Sequence, residues 1–219
     1  MIFKSVRPIG RICIVLIIIQ AARCLITYGL LLFVEKTSFS IDIVSMVTMA
    51  MLIIALLAAA RKFDFSFSFF PVTNSKISRI IYFCVSAAVL LLIVLSPAVT
   101  QDGSPGVLLS LLYSVIITPV FEELIFRGYI WNTLTQSGKS ELQTYLISTV
   151  IFALWHLGYV DVIWLKLSLQ GIQADFLFIM FMKVIVGLCF GIAAGFVRYK
   201  TKNTYAAMLT HAVMNLFGR

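Results

Sequence analysis

Glu122 and Glu123 are adjacent carboxylates inside a stretch that otherwise reads as membrane-spanning helix, Phe121-Glu122-Glu123-Leu124-Ile125-Phe126-Arg127-Gly128. Charge at bilayer depth is costly, and where it occurs it marks a functional site by default. On a helix Glu123 and Arg127 stand four residues apart and stack on one face, so the arginine neutralises Glu123. Glu122 points about 100° away. It is left to face a cavity, where a carboxylate can serve as a general base. Pro119, one turn earlier, cannot donate its backbone hydrogen bond, and a kink there would admit water.

Two further polar groups follow, Phe152-Ala-Leu-Trp-His156 and His211-Ala-Val-Met-Asn215. The chain has only two histidines and both fall within apolar runs. His211 and Asn215, four apart, again share a helix face. A glutamate and a histidine together can polarise water. A second histidine and an asparagine can donate hydrogen bonds to a developing oxyanion. This set suits hydrolysis of an amide or ester bond without a covalent nucleophile. Two histidines and a glutamate could instead hold zinc, the alternative cofactor. The sequence lacks HExxH and asparagine is a poor zinc ligand, so the expected mechanism uses no cofactor. A structural ion pair and two satisfied core histidines are the bland alternative for the same residues.

These groups need a scaffold, and composition says what kind. Of 219 residues, 61% are hydrophobic and 12% charged; soluble domains carry roughly 25% charged residues. Mean hydropathy is +1.05. Repeated apolar runs of roughly 20 residues predict an all-α polytopic transmembrane bundle of about seven or eight spans, with the site in the last four. The alternating ten-residue strands of a membrane barrel are missing from the sequence. The expected spans are 12–34, 41–60, 80–99, one from 107 carrying the glutamates, 145–157, 176–197 and 205–217. Residues 160–173 are amphipathic and read as interfacial or re-entrant. Phe-rich residues 63–70 read as an interfacial link, and 100–106 as a turn. Arg23 sits mid-span and is expected to snorkel or face other helices; Lys183 is expected to snorkel or pair. Gly187, Gly191 and Gly195 recur every four residues and favour close helix approach. Residues 1–219 read as one membrane domain, with 1–106 of unassigned role and 107–217 as the catalytic core.

The formal charge is +8. Its basic residues lie between apolar runs, so topology and anionic membrane lipid explain them better than nucleic acid, which is not an expected partner. Lys4, Arg7 and Arg11, the four basic residues between the second and third spans, Lys139, and the trio Arg198, Lys200 and Lys202 fall on one side of a seven-span topology. That places the N-terminus in the cytoplasm. Arg23 stands where a signal-peptide cleavage site needs a small residue, so the first span reads as uncleaved. Cys13, Cys24, Cys84 and Cys189 all lie in apolar runs and read as reduced thiols. With Tyr129, Trp131, Tyr145, Tyr199 and Tyr205 taken as an interfacial aromatic belt, Glu122 lies roughly 10 Å inside it, His156 roughly 16 Å and His211 roughly 9 Å. The three would then share a similar depth, near the cytoplasmic face.

Glu-Glu-x-x-Phe-Arg-Gly, Phe-x-x-x-His and His-x-x-x-Asn, in this order on successive spans, resemble the CAAX protease and bacteriocin-processing family. This family is also called Abi or type II CAAX prenyl endopeptidase, and its members are glutamate intramembrane proteases. The resemblance covers residues 107–217 and all three motifs are intact. It implies that Glu122 and His156 activate water, that His211 and Asn215 form the oxyanion site, and that Glu123 and Arg127 support the geometry. It implies a peptide or lipid-anchored protein substrate. Eukaryotic relatives remove the last three residues from prenylated C-terminal cysteine motifs. Many bacterial relatives act in bacteriocin maturation, self-immunity or peptide signalling, and the short chain fits a bacterial plasma-membrane relative. A non-catalytic immunity factor or regulatory scaffold is the alternative within the family. A transporter or channel is the alternative outside it.

Overall fold

An apolar run in lipid can satisfy its backbone polar groups only within itself, so each becomes a helix. A computed structural model describes residues 8–63, 75–99 and 105–218, and among them there is no strand. The helices are α1 (Pro8–Leu30), α2 (Ser38–Phe63), α3 (Lys76–Val99), α4 (Pro105–Leu111), α5 (Thr118–Glu123), α6 (Trp131–Gln136), α7 (Glu141–Trp155), α8 (Val160–Gln170), α9 (Phe176–Thr201) and α10 (Thr204–Phe217). π-helical segments Leu112–Ile117 and Leu124–Ile130 join α4, α5 and α6 into one broken rod. A 3₁₀ turn, His156–Tyr159, joins α7 to α8. Among the described residues six stretches are long and apolar enough to cross a membrane: Pro8–Leu30, Ser38–Ala60, Lys76–Leu95, Gly106–Gln136, Glu141–Gln170 and Phe176–Thr201. With α10 packed beside them, this is a multi-pass helical bundle. The expected interfacial link at 63–70 and turn at 100–106 lie largely outside the described residues, as do Lys4 and Arg7.

Successive spans run antiparallel, which gives the bundle two distinct ends. At one, Lys202 pairs with Glu141 at 3.1 Å, Tyr145 stacks on Tyr199, and Tyr82 meets Tyr205 edge-on. This end carries Arg11, Lys76, Arg79, Lys139, Arg198, Lys200 and Lys202, and we call it the basic end. At the opposite end Lys166 pairs with Asp42, Gln170 Nε2 donates to Ser38 Oγ at 3.2 Å, and Leu31, Ile41 and Val44 pack on Val162 and Leu165.

Residues 160–173 depart from expectation. Val160–Gln170 continues the fifth span through the 3₁₀ turn into the bundle, and ends where Gly171 takes a left-handed conformation (φ 63°). Its charged residues, Asp161 and Lys166, face Arg23 of α1 and Asp42 of α2. The amphipathic pattern therefore reflects ion pairs between helices. The aromatic belt is also revised: Tyr129 and Trp131 are 5% and 1% exposed, and the Arg198 guanidinium lies 5.2 Å from the Trp131 ring centroid. Both rings face protein, so they cannot gauge lipid depth.

The three-glycine face of α9 packs on α7. A Cβ at Gly187 would lie 2.5 Å from His156 Nδ1, one at Gly191 would lie 3.3 Å from the Thr149 carbonyl, and one at Gly195 would lie 2.8 Å from the Tyr145 ring. The small residues let the helices approach closely, as their spacing predicts. The N-terminal spans share this core: Ile12, Ile19, Met49 and Leu52 pack in one cluster with Phe121, Phe126 and Phe152.

Candidate active site

Two breaks in helical register shape the site. In the first π segment, Thr118 N–H bonds to the Tyr113 carbonyl, five residues back. The next bond in that register would run from residue 119 to the Ser114 carbonyl, and Pro119 has no N–H to give. Asn215 Nδ2 donates to that carbonyl instead, at 2.7 Å. An amide nitrogen carries two hydrogens, so Asn215 keeps one beside the cavity it lines.

The second break is at the end of α7. The backbone N–H of His156 turns to the carbonyls of Ala153 and Leu154, which leaves the Phe152 carbonyl free. The His156 ring takes it, with Nδ1 at 2.9 Å from Phe152 O. A carbonyl only accepts, so Nδ1 carries the proton and Nε2 carries the lone pair. Gly187 packs against this ring and Phe152 meets it edge-on. We expect Gly187→Ala to displace the imidazole and lower activity roughly 10²-fold, the usual penalty for misplacing a reacting group by about 1 Å. Gly195→Ala, which presses on Tyr145 and Thr149 rather than on a candidate residue, should have a much smaller effect in the same assay.

The two carboxylates flank one imidazole. His211 Nδ1 lies 2.9 Å from Glu123 Oε1, and His211 Nε2 lies 3.8 Å from Glu122 Oε2. Phe152 and Phe190 hold the ring edge-on, with centroids at 5.9 and 5.0 Å. Glu123 thus orients His211, as a carboxylate commonly orients a working histidine. Arg127 neutralises Glu123 as its spacing predicts: Nη1 is 3.3 Å from Oε1 and Nε is 3.2 Å from Oε2. Arg127 Nη2 also donates to the Gly191 carbonyl at 2.9 Å, and its guanidinium sits 4.6 Å from the Phe152 ring centroid. Glu123 and Arg127 are fully buried, and Glu122 is 1% exposed.

Glu122 has a partner that the motifs did not disclose. Tyr159 Oη donates to Glu122 Oε1 at 2.6 Å and accepts from Trp155 Nε1 at 3.1 Å. Tyr159 follows His156 by three residues on a 3₁₀ turn, where such positions eclipse. That relation appears only once the turn is known to be 3₁₀. Arg23 completes the arrangement from α1. Its Nη2 bonds to Asp161 at 2.7 Å and to the Gly158 carbonyl at 2.8 Å, and its guanidinium sits 5.2 Å from the Tyr159 ring centroid. Arg23 is 2% exposed, so it faces other helices and does not snorkel to the surface.

Glu122, His156, His211 and Asn215 all line one cavity of about 350 Å³. The structure therefore brings together the four sequence-identified candidates, with Glu123 and Arg127 directly behind. Arg23, Asp42, Ser45 and Met49, from the half of the chain to which the motifs gave no role, line it too. Among the described residues no three His, Cys, Asp or Glu side chains converge as metal ligands.

A multi-pass helical bundle enclosing a carboxylate–imidazole cavity defines a class, the helical membrane protein with a buried polar site. More particularly, the chain belongs to the type II CAAX prenyl endopeptidase Rce1-like family, whose model matches residues 104–217, just over half of its length. Comparison with curated proteins and with solved structures returned no match.

Proposed function

We propose that this protein is an intramembrane endopeptidase that hydrolyses a peptide bond with an activated water, on a peptide or lipid-anchored protein substrate. The observation that carries this reading is the convergence of Glu122, His156, His211 and Asn215 on one cavity within a family of CAAX-type endopeptidases.

In the proposed mechanism a water sits between Glu122 and His156. The free Nε2 of His156 and the Glu122 carboxylate draw its proton as oxygen attacks the scissile carbonyl. The second Nδ2 hydrogen of Asn215 and the His211 imidazole donate to the developing oxyanion. Glu123 holds His211 through Nδ1, and Arg127 holds Glu123. Glu122 or His156 then returns the proton to the leaving amine.

One feature supports a site rather than a conduction path. Arg127, Phe126, Phe152 and Trp131 are all fully buried between the cavity and the basic end. They occupy the space that a transport path would need. A non-catalytic immunity or scaffold role would leave the cellular phenotype intact in a Glu122→Ala variant.

The test is comparative peptidomics of membranes carrying the wild type or His156→Ala at matched levels. We expect a cleaved C-terminus or released leader only with the wild type; identical peptide sets from both would sink the proposal. The same comparison with a chelator addresses zinc. Cleavage that survives chelation supports the metal-free mechanism. Cleavage lost and restored only by zinc would assign the metal to His156, His211 and Glu122.

A further inference from the structure

The two oxygens of Glu122 are held differently. Tyr159 Oη donates to Oε1 at 2.6 Å, whereas Oε2 lies 3.8 Å from His211 Nε2, beyond hydrogen-bond reach. The phenol is itself oriented. Trp155 Nε1 donates to the same Oη at 3.1 Å, and the hydroxyl turns its own hydrogen to the carboxylate. A short hydrogen bond to a charged acceptor is about twice as strong as a neutral one. Glu122 is 1% exposed, so bulk water does not compete for Oε1. Oε1 is thus the anchored oxygen, and Oε2 is left to act on a water.

Tyr159 shares its four-residue turn with His156, and their ring centroids are 6.0 Å apart. Glu122 and His156 therefore take their relative positions from one short element. That element is gripped by α1. Arg23 Nη2 bonds to the Gly158 carbonyl at 2.8 Å and to Asp161 Oδ1 at 2.7 Å, and Gln20 Nε2 donates to the same carbonyl. The Arg23 guanidinium also lies 5.2 Å from the Tyr159 ring centroid. These contacts fall before Tyr159, after it and on its ring. Arg23 is 2% exposed, and a buried guanidinium within an apolar span is costly enough to mark a functional role. The family model begins at residue 104, so it spans Tyr159 and assigns nothing to Arg23.

We propose that Tyr159 is a positioning residue for Glu122, and that Arg23 of the first span holds Tyr159 in place. Tyr159 fixes Oε1 so that Oε2 and His156 Nε2 meet the same water. A reacting group misplaced by about 1 Å loses roughly 10²-fold in rate, which gives such a strut its value. The catalytic consequence rests on the proposed peptidase activity; the positioning of Glu122 does not.

Tyr159→Phe removes one oxygen and keeps the ring. Cleavage is followed in membranes at matched protein levels, as the rate of forming whatever product the wild type releases and His156→Ala does not. We expect Tyr159→Phe to slow it about 10–10²-fold, the scale of a lost hydrogen bond to a charged group. Arg23→Gln should cause a smaller loss. Should Arg23→Gln alone not accumulate, its combination with Asp161→Asn removes both charges together. Infrared difference spectra of the purified protein read Glu122 directly, because its carboxylate band is the one that Glu122→Gln abolishes. We expect that band to shift in Tyr159→Phe and in the Arg23 variant, which a merely structural role for either residue would not cause. Tyr159→Phe cleaving at the wild-type rate, or leaving the band unmoved, overturns the inference. An Arg23 variant that matches the wild type in both readouts overturns the part assigned to α1. Identical peptides from wild type and His156→Ala would sink the peptidase reading, while the band would still decide whether Tyr159 positions Glu122. Cleavage lost in His156→Ala yet undiminished in Tyr159→Phe would sink the inference alone.

Discussion

Glu122→Gln is expected to lower peptide hydrolysis by about 10²–10⁴-fold, the range for removing a positioned general base. The substitution preserves volume, and the amide oxygen can still accept from Tyr159 Oη, which lies 2.6 Å from the present carboxylate. An amide cannot take the proton from water. The protein should therefore insert, purify and melt like the wild type while turnover collapses. Glu122 is buried beside His211, so its neutral replacement leaves Glu123 to hold that imidazole as before. Turnover within about threefold of wild type would remove Glu122 from the mechanism and transfer the base to His156 alone.

Arg127→Leu is expected to act first on stability. Arg127 is fully buried and meets Glu123, the Gly191 carbonyl and the Phe152 ring together. Truncating one partner of a buried ion pair leaves the other charge uncompensated, at about 3–5 kcal/mol. The measurement is thermal or denaturant unfolding in detergent, with hydrolysis recorded on whatever fraction stays folded. Arg127→Lys should recover only part of the loss, because an ammonium lacks the planar fork that meets a carboxylate and a carbonyl at once. A Lys variant equal to wild type in both readouts would reduce Arg127 to a simple counter-charge. Activity is expected to fall in parallel, since Glu123 also holds His211.

Much of the site was legible before folding because helical periodicity is a local property. Glu123 and Arg127, four apart, had to meet, and they do. The glycines at 187, 191 and 195 had to share a face, and each receives a side chain of α7 or its following turn. The apolar runs implied the membrane bundle, since lipid leaves the backbone no alternative to helices in such runs. The family followed from three motifs in order, and its model covers the segment that holds them.

The remainder depended on which residues meet across helices. Tyr159 carried no motif and became the hydrogen-bond donor to Glu122 because a 3₁₀ turn aligns it with His156. Asn215 found the Ser114 carbonyl because a π segment and Pro119 together vacated it. Residues 160–173 looked interfacial because Asp161 and Lys166 are polar, yet Arg23 and Asp42, more than a hundred residues earlier, absorb both charges. An amphipathic pattern looks the same whether its polar face meets water or opposite charges on another helix. Residue types, and the faces they share on a helix, were thus determined by the sequence itself. Only the tertiary structure decided that both carboxylates flank one imidazole and that α1 and α2 help wall the cavity, because those contacts join residues that chain spacing leaves independent.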